Sequence, residues 1–163
     1  MLRVRDGTSQ DYDQIMAIYK FAQDYMIRSG NPDQWGRFYP APELVKSDIQ
    51  EGLCRVIFDE DGIHGVFAIL EGEEPTYRHI EDGAWLNAEP YATIHRIAGD
   101  GRVHGLFRCA ADYCKGIFSN VRIDTHKNNL VMQRQVEKNG FIKCGTIYVA
   151  DGSPRTAYHW TSA

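Results

Sequence analysis

Apolar positions along the chain change their period several times, and each change marks a predicted element. In "LRVRDG" apolar and basic residues alternate, which predicts a first strand. After it Ile15, Ile18, Tyr19, Ala22 and Met26 recur at helical spacing, with Thr8 or Ser9 able to cap and Gly30 closing the run. "NPDQWGRFYPAP" breaks this pattern with proline, glycine and three large aromatics and reads as a covering loop. "PELVKSDIQEG" is a short second helix stopped by Gly52. In "LCRVIFDEDGIHGVFAILEG" two β-rich runs flank a turn in which Gly62 takes positive φ, a hairpin signal. "EEPTYRHIEDGAWLNAEP" has no sustained period and reads as an excursion from the sheet.

The second half alternates more regularly. A strand ("YATIHRIA"), a glycine-rich turn ("GDGRVHG") and a helix ("LFRCAADYCKG") come first. A strand ("NVRID"), a helix opened by Asn128 and Asn129, and a strand ("FIKCGTIYV") follow, and "RTAYHW" closes the chain as a last strand. The order is β-α-α-β-β-β-α-β-α-β-β. Its strand-helix-strand crossover is right-handed and helix-mediated, which makes residues 91–98 and 119–124 parallel. The fold class is therefore α/β (α+β), with a mixed sheet and helices packed on it. No internal repeat or linker interrupts the 163 residues, so a single domain spanning 1–163 is expected.

Composition narrows the function classes. Apolar residues make up 43% and charged residues 25%, enough for a buried core without metal or crosslinks. The net charge of -4 supplies no field that attracts nucleic acid or an anionic membrane, so neither is expected as a partner. Cys54, Cys109, Cys114 and Cys144 form no CxxC pair, so reduced thiols and no metal are expected. No basic-then-apolar leader opens the chain and no apolar run reaches the roughly eighteen residues of a membrane helix, which makes a cytoplasmic location the expectation.

The candidate chemistry starts at "AGDGRVHGLF", where Gly99, Gly101 and Gly105 join a strand to a helix. The first amides of a helix lack internal partners and carry partial positive charge, so glycines there let phosphate oxygens approach the main chain. Arg102 adds a side-chain charge. The turn is neither GxGxxG nor a Walker loop, and a plain turn-and-cap explains the same residues.

Together with the element order and the later "NNLVMQRQVEKNGF", this turn resembles the GNAT superfamily of acyl-CoA-dependent N-acyltransferases. That family's pyrophosphate loop runs Gln/Arg-x-x-Gly-x-Gly/Ala. Arg102-Val103-His104-Gly105-Leu106-Phe107 matches its arginine and first glycine and departs at Phe107, where a small residue is usual. The family's second signature, an Asn followed eleven residues on by Gly-Phe, is met by Asn129, Gly140 and Phe141. The resemblance covers nearly the whole chain. It implies a splayed central parallel strand pair that receives acetyl-CoA as co-substrate. The pantetheine arm would run beside Ile97 and Ala98, the diphosphate would sit on Arg102, Val103, His104, Gly105, Leu106 and Phe107, and the Asn129 amide would reach the cofactor. N-capping is the other role open to Asn128 and Asn129.

The reaction implied is attack of a primary amine, on a small molecule or peptide, at the thioester. The amine must first lose a proton, and the thiolate leaves readily because thiols titrate near ~8.5. His95, two residues before Ile97, is the candidate base, against a structural role on the sheet; His126 is the second candidate, and Asp124 reads as structural. The family's usual acid, a tyrosine seven residues after the Asn, is here Val136, which leaves Tyr148 or water. Trp35, Tyr39, Trp85 and Tyr91 are the expected walls of the acceptor pocket. Two other readings stay open: a non-catalytic acyl-CoA-binding or regulatory module, and a protein that uses the turn for ATP. The oligomeric state stays open between a homodimer and a monomer, since an apolar edge strand at either end can pair with a second copy or be covered.

Overall fold

Three strands open the sheet and four follow, separated by helices at the places where the hydrophobic period changes. The computed structural model describes residues 1–163. In chain order the elements are β1 (Arg3–Asp6), α1 (Tyr12–Arg28), α2 (Pro42–Gln50), β2 (Cys54–Asp59), β3 (Gly62–Glu71) and β4 (Ala92–Gly99). Then come α3 (Leu106–Lys115), β5 (Asn120–Thr125), α4 (Leu130–Lys138), β6 (Ile142–Tyr148) and β7 (Pro154–Thr161). The seven strands are ordered β1-β2-β3-β4-β5-β7-β6. β1 with β2, β2 with β3, β5 with β7 and β6 with β7 run antiparallel. β4 and β5 are parallel, as the crossover requires, and their ladder holds only two residue pairs, Ala92 with Val121 and Thr93 with Arg122. No helix is long and apolar enough to cross a membrane.

Within this α/β fold the chain forms two compact units, Met1–Ile69 with His95–Ala110, and Leu70–Ile94 with Ala111–Ala163. In the first, the helical stripe of α1 (Ile15, Ile18, Tyr19, Ala22) meets Val45 of α2, Val56 and Val66 of the hairpin, and Ala98 of β4. Each large apolar side chain so removed from water contributes about 2 kcal/mol. α1 begins at Tyr12 rather than at Thr8 or Ser9, because Ser9–Asp11 winds into a tighter 3-10 turn. The Asp11 carboxylate accepts from the Thr8 amide (2.9 Å) and hydroxyl (3.1 Å) and is gripped by Arg5 at 2.8 and 3.0 Å. That arginine holds the carboxyl down at about 2.

In the second unit Tyr77, Ile147 and Ala157 form a core flanked by Ile80, Trp85 and Tyr91. The aperiodic excursion therefore has a packed interior despite its polar reading. It also covers the outer strand: Glu81 and Thr146 exchange backbone bonds of 2.9 and 2.8 Å. Gly83 lies so close to β6 that a Cβ there would stand 1.9 Å from the Cys144 carbonyl oxygen.

Candidate active site

β4 delivers its C-terminal half, His95–Gly99, into the first unit and ends in the glycine turn. Gly99 is required by contact: a Cβ there would lie 2.3 Å from Leu106 Cδ1, so strand end and helix start pack directly on each other. Gly101 has φ +76 and rests on the Phe21 ring, 2.7 Å from where a Cβ would be. Gly105 has φ +83 with open space around it. Its carbonyl accepts the first internal bond of α3, from the Cys109 amide at 3.0 Å, so the amide-rich end of the helix begins here. Arg102 and His104 are exposed beside it, whereas Phe107 and Ala98 are buried. Phe107 thus occupies the family's small-residue position by turning its ring into the core. The Arg102 amide donates to Asp100 Oδ1 at 2.9 Å, which shapes the turn from within.

Asp100 is itself held from β3. His64 places Nδ1 2.9 Å from Asp100 Oδ2 and Nε2 2.8 Å from Asp59 Oδ1. The Asp100 amide donates to the His64 carbonyl at 2.9 Å. A carboxylate oxygen accepts, so each ring nitrogen serves its partner by donating, and the pair of contacts favours the imidazolium form of His64. Asp100 first, and Asp59 with it, raise its pKa against the opposing effect of burial.

Arg96 interrupts β4 with φ +54. Its guanidinium meets Asp48 of α2 in two bonds of 2.9 Å and donates to the Tyr39 hydroxyl at 3.2 Å. Its carbonyl accepts from the Tyr19 hydroxyl at 2.8 Å. Trp35 sits edge-on to Tyr19 (5.8 Å between centroids) and 6.0 Å from Tyr39, whose carbonyl accepts from Gln23 at 2.8 Å. Tyr39, one of the expected pocket walls, is therefore tied to β4 through Arg96, and Trp35, another, packs beside it. His95 and Ile97, on either side of Arg96, are half-buried.

The second unit holds the other signature. Asn129 caps α4, its Oδ1 accepting from the Met132 amide at 3.1 Å. Gly140 follows the helix with φ +88, and Phe141 is buried immediately before β6. Val136 is fully buried. His126 is buried, with Nδ1 accepting from the Asn128 amide at 3.0 Å. Asp124 accepts from the Tyr77 hydroxyl at 2.6 Å. Tyr148 lies on β6, the outermost strand, and donates to Glu81 at 2.8 Å, which raises its pKa.

Trp85 and Tyr91 both lie against Arg122 of β5, whose guanidinium carbon stands 4.1 and 3.9 Å from their ring centroids. Trp85 donates to the Tyr77 carbonyl at 2.9 Å, and the Tyr91 hydroxyl accepts from the Glu74 amide at 2.8 Å. Both rings thus belong to the packing of the excursion on Arg122.

Arg96, Asp48, His64 and Asp100 escaped the sequence reading. A signal existed for two of them: Asp48 interrupts the buried stripe Val45–Ile49, and His64 lies inside an otherwise apolar strand. Nothing local marks Arg96, since its partners come from α1, α2 and the 31–40 loop.

The architecture has solved counterparts. An acetyltransferase of the GNAT family from Streptococcus agalactiae superposes with a TM-score of 0.91 at 28% identity, covering 99% of this chain and 96% of that one. A GNAT-family acetyltransferase from Listeria monocytogenes gives 0.72 at 17% identity, covering 98% and 94%. An agmatine N-acetyltransferase mutant gives 0.62 at 13% identity, covering 98% and 99%. No protein-family model and no curated protein matches the chain. Over nearly its whole length, this chain has the fold of the GNAT-family acetyltransferases.

Proposed function

We propose that this chain is an acetyl-CoA-dependent N-acetyltransferase that modifies a primary amine of a small molecule or peptide. The observation that carries the reading is the junction of β4 and α3. Two glycines at positive φ, an exposed arginine and an amide-rich helix end follow a strand whose parallel ladder stops after two pairs. That turn suits a diphosphate: Gly105 leaves open space where other residues carry Cβ, and Arg102 supplies positive charge.

Acetyl-CoA supplies the thioester. The amine nitrogen bonds to its carbonyl carbon, the C–S electron pair leaves on sulfur, and one proton passes in net from nitrogen to sulfur. Main-chain amides near Ile97 and Ala98 would stabilise the developing oxyanion. His95 is the residue proposed to take the ammonium proton. With Val136 in the usual tyrosine position and Tyr148 engaged by Glu81, water is the proposed proton source for the thiolate.

The test is release of free CoA thiol from acetyl-CoA with a panel of alkyl diamines, amino acids and peptides. Thiol release that requires an amine is expected, and it should fail in His95→Ala at neutral pH. The buried Val136 favours a second reading, a module that binds acyl-CoA without turnover. Thermal stabilisation by acetyl-CoA with no thiol release under any amine would establish that reading instead.

A further inference from the structure

A non-glycine residue at positive φ inside a strand persists only where its surroundings over-determine it, and such residues cluster at sites of function. Arg96 (φ +54) has three anchors: Asp48 in two bonds, the Tyr39 hydroxyl, and the Tyr19 hydroxyl on its own carbonyl. Asp48 is 5% and the Arg96 side chain 9% exposed, so the ion pair is shielded from solvent. Stability does not explain the choice. Glycine adopts this φ without strain, and a buried ion pair seldom outperforms well-packed apolar residues. What the kink changes is the residues around it. Ala92, Thr93 and Ile94 are buried in succession, as in a central strand covered on both faces, whereas His95, Arg96 and Ile97 are half-buried together before Ala98 is buried again, so the run of full burial is broken at the kink.

We infer that Arg96 is a positioning residue: clamped by Asp48, Tyr39 and Tyr19, it holds the β4 backbone so that the main chain of Ile97 and Ala98 meets the acyl thioester. This rests on the acyl-CoA reading of β4 and deepens it. The clamp also joins acceptor loop to cofactor strand, since Tyr39 belongs to the 31–40 loop and Arg96 to β4.

The experiment compares Arg96→Ala with Arg96→Gly. Both lose the guanidinium bonds to Asp48 and Tyr39 and keep the Tyr19 bond to the backbone carbonyl, but only glycine tolerates φ +54 without those side-chain anchors. Arg96→Ala should lower kcat by about a hundredfold, the scale of an ångström-sized misplacement, while the acetyl-CoA Kd stays near the wild-type value because the phosphate turn is intact. Arg96→Gly should recover at least about tenfold of that loss, and Tyr19→Phe should fall between the two. Equal kcat in the alanine and glycine variants would overturn the proposal, as would a loss confined to the amine KM, which would make Arg96 an acceptor contact. A second readout needs no turnover: the amide shifts of Ile97 and Ala98 on adding acetyl-CoA should appear in wild type and Arg96→Gly and vanish in Arg96→Ala. A wild type that shows those shifts without thiol release contradicts the enzymatic reading and leaves the positioning claim standing. Absence of the shifts in wild type overturns the positioning claim.

Discussion

His64 and Asp100 are bound twice, side chain to side chain at 2.9 Å and main chain to main chain at 2.9 Å, so the strand before the hairpin's end fixes the entrance of the glycine turn. Asp59 on the ring's other nitrogen favours the imidazolium. The folded pKa is raised, so this pairing stabilises fully below the ordinary histidine value near 6.5 and is lost as pH rises through the raised value. Nitrogen-15 spectra followed upward from pH ~6 should show both His64 ring nitrogens keeping their protons past the ordinary histidine midpoint near 6.5. His64→Ala leaves the Asp59 and Asp100 carboxylates without their shared partner and should lower the urea midpoint, more at pH ~6 than at pH ~8.

His159 has the opposite sign. It is wholly buried, accepts the Leu86 amide on Nδ1 at 3.2 Å and donates from Nε2 to Asn120 at 2.9 Å. Burial first, then the nearby Arg122 charge, lower its pKa to about 4. The unfolded chain therefore binds a proton that the folded chain refuses, and stability falls as pH drops from about 6.5 towards 4, by up to about 3 kcal/mol. Urea midpoints taken across that range should decline steeply in the wild type and less in His159→Gln.

Gly101→Ala meets two penalties, positive φ and the Phe21 ring, whereas Gly30→Ala meets only the first, having nothing within 4 Å. Both should lose about 1 kcal/mol of stability from backbone strain. Only Gly101→Ala should weaken acetyl-CoA binding in calorimetry, by about tenfold, because its turn must shift to clear the ring.

Arg122 is 5% exposed against Trp85 and Tyr91, and one terminal nitrogen donates to the Asn87 carbonyl at 2.9 Å. Arg122→Met keeps much of the volume and removes the desolvated cation–π contacts, which should cost about 2 kcal/mol. Unfolding followed by tryptophan fluorescence reads both the loss and the changed surroundings of Trp85.

The fold was legible because its signals are local. The α1 stripe, the Asp59–Gly62 turn and the strand-helix-strand order each report through near neighbours, and all the predicted elements form. The Arg102–Gly105 turn and Asn129…Gly140-Phe141 were readable for the same reason. What the sequence concealed depends on pairing across distance. Arg96 meets Asp48 and Tyr19 across 48 and 77 residues, and Arg122 meets Asn87 across 35. Trp85 and Tyr91 also flank a small core that the polar excursion hides in the sequence, and their contacts with Arg122 of β5 come from residues far along the chain.

The most direct measurement is a crystal structure of the protein grown with acetyl-CoA. The diphosphate is expected on residues 102–107, with the acyl-bearing arm alongside Ile97 and Ala98. Cofactor density elsewhere on the molecule, or none at saturating concentration, would contradict the assignment of β4 and its turn as the acyl-CoA site.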